Sequence, residues 1–212
     1  MQKLLAPCLA FLITGLFSVA IAQEVVDGQF PTIKMKTFDG DKFVFPDGMQ
    51  GSELNVVFLG MSATQENGEW QQKKLLEIQA ALDEQDVFSQ QVMSYHFPAM
   101  PSPPFFVKGI IAGAMADSYE GKVPLDQAGV MYLDDLDEFA GESGLALDEQ
   151  PTIVIADASG QPLQVFKGEL SDELVAGLLV AIRGPQDEIQ DDASVEMPGM
   201  DQVEDSEAEL VK

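Results

Sequence analysis

Cysteine and histidine are nearly missing from this chain: 212 residues hold one Cys and one His. That excludes intrachain disulfides, Cys-rich zinc sites and iron–sulfur clusters. Basic residues are also scarce, 11 Lys plus Arg against 36 Asp plus Glu, a formal charge of −25. A surface of that sign repels nucleic-acid backbones and anionic lipid, so neither is expected as a partner. No G-x-x-x-x-G-K-[ST] and no helix-opening G-x-G-x-x-G occurs, and no cofactor is expected. Apolar residues still make up 46% of the chain, too many for a disordered acidic polymer.

Residues 1–22, MQKLLAPCLAFLITGLFSVAIA, begin with a cation at Lys3 and continue as an apolar run. They end in Ala20-Ile21-Ala22, an A-x-A cleavage signal. This is the pattern of a secretory signal peptide, with an uncleaved anchor as the other reading. A bacterial periplasmic location follows. The only cysteine, Cys8, lies inside this segment, so the chain from Gln23 onward has no thiol and a formal charge of −26 once Lys3 is removed. At the other end, residues 185–212 hold ten acidic residues, one Lys and no aromatics. Such a segment buries too little apolar surface to offset its ordering entropy and is expected to be a disordered acidic tail.

Between them, residues 23–184 read as one α/β domain. Ile33–Thr37 and Lys42–Phe45 flank an Asp-Gly turn and suggest a hairpin. Leu54–Leu59 is a short run of β-formers. A helix is expected over 67–82 and a strand over 87–95, followed by a proline-stiffened loop at 98–104. A helix over 105–119, a strand over 129–133 and a short helix over 134–141 capped by Asp134 or Asp135 come next. A hairpin of 152–156 and 162–167 precedes a helix capped by Ser171. One mixed sheet with helices on both faces accommodates this order.

This order resembles the thioredoxin superfamily. The strand ending at Leu59, with Gly60-Met61-Ser62-Ala63-Thr64 and a helix after it, falls where that fold has its redox loop. Gln150-Pro151-Thr152 precedes a strand where the fold keeps a cis-proline, which implies that Pro151 is cis. Ile153–Gly168 (IVIADASGQPLQVFKG) has the form of the terminal hairpin. The redox positions hold no thiol, so thiol–disulfide exchange and peroxidase chemistry are not carried over. A patchier resemblance, carried by Phe58–Ser62, Phe106–Tyr119 and Leu133–Phe139, links the chain to the mitochondrial ATPase complex assembly factor family and its bacterial relatives. It implies help in assembling a membrane complex through protein contacts. Cysteine-free periplasmic thioredoxin-like proteins fit equally well.

Three groups of residues are candidate sites. Met93, His96 and Met100 carry soft donors that suit copper; the alternative is core-filling Met and one loop His. Ser62 and Thr64 lie after a strand, but no G-x-S-x-G elbow is present and His96 is on another segment, so no hydrolase is expected. In the proline-rich stretch, Phe97, Met100, Phe105 and Phe106 form either an exposed anchor for a protein partner or a cover for the domain's own core. The preferred reading is a non-enzymatic exported binding or assembly factor, with periplasmic copper handling as the alternative.

Overall fold

The run Leu54-Asn55-Val56-Val57-Phe58-Leu59 forms a strand at the centre of the main sheet, with every residue after Leu54 buried. The computed structural model describes Glu24–Val25 and residues 27–184; the expected signal peptide and acidic tail lie outside the described residues. Nine strands are described: β1 Glu24–Val25, β2 Ile33–Lys36, β3 Lys42–Phe45, β4 Leu54–Leu59, β5 Val92–His96, β6 Ala99–Pro101, β7 Met131–Leu133, β8 Thr152–Asp157 and β9 Pro162–Lys167. Four α-helices accompany them: α1 Gln65–Asp83, α2 Phe105–Tyr119, α3 Leu136–Glu142 and α4 Asp172–Arg183. The main sheet has the order β1-β9-β8-β4-β5, with β4 and β5 parallel and the other pairs antiparallel. No described helix is long and apolar enough to cross a membrane.

Strand alternation gives the sheet two covered faces. On one face Val56, Phe58, Ile153, Ile155 and Phe166 pack beneath α1 and α4 through Leu75, Ile78, Leu174 and Leu178. On the other, Val57, Leu59, Tyr95 and Val154 meet α3 and the β2–β3 hairpin. Asn55, fully buried in β4, is satisfied on both ends, donating to the Asp157 carbonyl and accepting from Gly51 N–H. Asp135 caps α3 by accepting from Glu138 N–H, and Ser171 caps α4 by accepting from Leu174 N–H.

Three expectations need correction. The hairpin does not join the main sheet; β2 and β3 form a separate two-stranded ribbon. The strand expected from residue 87 starts at Val92, because the Ser89 side chain accepts from the N–H groups of Gln91 and Val92 in a turn. The proline stretch is not all loop: Ala99–Pro101 pairs in parallel with β7. Pro98 and Pro101 have no N–H to offer, but Ala99 donates to the Gly60 carbonyl and Ser102 to that of Leu133, so the backbone groups present are used.

Candidate functional site

The loop after β4 lies between two other segments. Ala99 N–H donates to the Gly60 carbonyl and Ser62 N–H to the Ala99 carbonyl, so β6 runs alongside it. From below, the buried side chain of Gln71 donates from Nε2 to the Met61 carbonyl at 2.9 Å. The Ser62 hydroxyl donates to the Thr64 carbonyl and accepts from Thr64 N–H. It closes a turn and is not aimed at solvent as a nucleophile. Gly60, Met61, Ser62, Ala63 and Thr64 are thus a hydrogen-bonded connection.

Thr152 pairs with Leu59, which puts buried Pro151 beside this loop. Its peptide bond is not cis, however; the cis bond among the described residues is Phe45–Pro46. Asn67 Nδ2 donates to the Glu149 carbonyl at 3.0 Å and ties α1 to this approach.

The copper set does not assemble. Met93 and His96 stand three residues apart on one strand, which places them on opposite faces of the sheet. Met93 lies with the hairpin-side core, where its sulfur accepts from the Tyr95 hydroxyl at 3.8 Å. His96 lies on the far side, stacked on Phe58 with ring centroids 4.3 Å apart and against Tyr119. Its Nε2 meets Gln79 Oε1 at 3.0 Å, and Gln79 Nε2 donates to Asp83. Burial pushes the imidazole pKa down from 6.5 to about 3, so it is neutral at physiological pH. Met100 is on β6, beside the loop. No cluster of three His, Cys, Asp or Glu placed to hold a metal occurs among the described residues.

The anchor residues also divide. Phe97 is fully buried, with Phe43, Phe45 and Tyr95 rings at 5.2, 5.5 and 5.7 Å. The hairpin aromatics cover it, so it belongs to the core. Met100 is half-buried. Phe105 and Phe106 stand in solvent, 86% and 65% exposed, and Ile110, one helical turn on, is 71% exposed. Ile110 was not singled out from sequence, although its i+4 spacing from Phe106 was a signal for it.

This apolar face belongs to α2, a helix with Tyr119 as its one buried residue. It is attached along its inner side. The Tyr132 hydroxyl donates to the Lys108 carbonyl at 2.7 Å, Gln72 bonds Ser118, and the Tyr119 ring packs on Phe38. Between α2 and the post-β4 loop lies a cleft of about 290 Å³ lined by Ala63, Thr64, Gly68, Met100, Ile111 and Met115. The site is therefore an apolar ridge beside an apolar cleft, next to the loop that follows β4.

No family model matches the chain, and no curated protein matches it. Solved structures do. Yeast Sco1 with copper bound aligns with a TM-score of 0.51 at 9% identity, over 74% of this chain and 94% of that one. A SCO1/SenC family lipoprotein from Bacillus anthracis gives 0.48 at 11% identity, over 77% and 98%. The thioredoxin domain of a thiol-disulfide oxidoreductase from Bacteroides vulgatus gives 0.46 at 13%, over 75% and 99%. At these identities the likeness concerns the fold. With the β4–loop–α1 unit and the terminal β8–β9 hairpin, the described domain has a thioredoxin-like fold, and it contains no cysteine.

Proposed function

We propose that this protein is a non-enzymatic binding or assembly factor that works through protein contacts made by α2. The observation that carries the reading is the exposure of Phe105, Phe106 and Ile110 together on one ridge. Large apolar side chains gathered on a surface are costly to hydrate and are the usual anchors of protein interfaces. Pro103 and Pro104 stiffen the entry to the helix and lower the entropy lost on docking. The chemistry at the loop supports the same reading: there is no thiol, the Ser62 hydroxyl is engaged with Thr64, and His96 is buried away from it. The resemblance to assembly factors suggests a membrane complex as the client, and the segment 1–22 suggests that the encounter occurs outside the cytoplasmic membrane. Copper handling has less support, since Met93, His96 and Met100 do not share a site.

The test is a photo-crosslinking residue at position 106 in living cells, with the same residue at exposed Leu163 as control. One protein recovered repeatedly from position 106 and not from 163 supports the reading. Equal recovery from both positions, or none from 106, removes it.

A further inference from the structure

We infer that the occupant of the α2 ridge is a basic amphipathic helix of a protein partner, packed across Gly109 and Gly113; this rests on the binding reading above. The argument begins with the two glycines. Each disfavours a helix relative to alanine, and a Cβ built on either meets nothing within 4 Å. The domain's own packing therefore requires neither. They lie four residues apart on the same outward side as Phe105, Phe106 and Ile110. Small residues at that spacing let a second helix approach closely, while flanking large side chains fill the groove beside it.

Charge supplies the second half. Asp117 is exposed on the same side of α2. Glu69 borders the cleft beneath it. Asp134 and Asp135 follow Leu133, whose carbonyl accepts from Ser102, so they flank the start of α2. The nearby cations are turned to other tasks: Lys108 lies over the Tyr132 ring at 5.1 Å, and Lys122 donates to the Ser118 carbonyl at 2.8 Å. An apolar ridge with an acidic border is complementary to an apolar helix face bordered by Lys and Arg. A second copy of this chain would bring a like-charged border against this one.

The probe is a fluorescein-labelled synthetic Leu/Lys amphipathic peptide of about 18 residues, five helical turns. A Leu/Glu peptide of the same pattern is the control. Both are titrated by anisotropy into the protein as its host processes it. The expected result is saturable binding of the Leu/Lys peptide only, weakened at least tenfold by Phe105→Ser with Phe106→Ser. Gly113→Gln is the second variant. It keeps the fold, since its side chain enters open space, and weakens binding comparably by holding the helix off. Equal binding of both peptides overturns the inference. So does binding unchanged by these variants, which would place the peptide on other acidic surface. Uptake of phosphatidylcholine vesicles in place of either peptide assigns the ridge to membrane and also overturns it. If position 106 crosslinks one protein in cells but through a segment that is not a basic helix, the binding reading stands and this inference fails.

Discussion

Gln71, on the second turn of α1, donates from Nε2 to the carbonyl of Met61 at 2.9 Å and so holds the loop after β4 from inside the domain. The same nitrogen reaches Asn67 Oδ1 at 2.5 Å. Gln71→Leu removes the donor and leaves a buried carbonyl unpaired, a loss of about 1–3 kcal/mol. Urea denaturation checks the magnitude. Hydrogen exchange checks the place: faster exchange at Ser62 and Ala99, which share the pairing across this loop, is the expected companion.

His96 makes the fold sensitive to moderate acid. Its folded pKa is lowered by burial from 6.5 to about 3. Between those values the unfolded chain holds a proton that the folded one does not, so stability is full above pH 6.5 and falls as the pH drops toward 3. At 1.36 kcal/mol per unit, the maximum loss is roughly 5 kcal/mol. Thermal melts from pH 7 to pH 5.5, where ordinary carboxylates remain almost fully ionised, should show a falling Tm. In His96→Leu that slope should be largely gone, although the variant starts less stable because Gln79 Oε1 loses its partner.

The two kinds of phenylalanine in the proline-rich stretch should respond in opposite ways. Phe97, enclosed by three aromatic rings, should cost about 3–5 kcal/mol when changed to Ala. Phe105→Ala and Phe106→Ala should change stability by no more than about 0.5 kcal/mol, because both side chains are in water. Chemical denaturation of the three variants decides it; comparable losses at all three sites would mean that α2 is covered in solution.

Gly129 marks where the hairpin meets the rest of the domain. A Cβ there would stand 2.5 Å from the Lys36 carbonyl oxygen and 2.7 Å from Met35 Cε. Gly129→Ala should therefore push β2 off β7 and destabilise the fold by about 1–3 kcal/mol. Gly141→Ala, where a Cβ meets nothing within 4 Å, is the matched control and should not destabilise α3. Equilibrium unfolding of both variants provides the comparison.

Local signals in the sequence determined a good deal of this protein. The composition alone excluded intrachain disulfides and cysteine-rich metal centres. Alternation and turn residues placed β3, β4 and β9 at their observed bounds, the apolar run after Pro104 gave α2, and Ser171 identified the start of α4. Such features depend on a few neighbouring residues, which is why they are legible one segment at a time. The faces of β5 were legible too, once the strand is carried on to His96: three residues of separation put Met93 and His96 on opposite sides. Tertiary structure decided what is covered. Phe97 and Phe105 look alike in sequence, but the aromatics of a hairpin more than fifty residues upstream bury the first and nothing described covers the second. Burial is a property of which distant segments meet, and that is fixed only when the whole chain has folded.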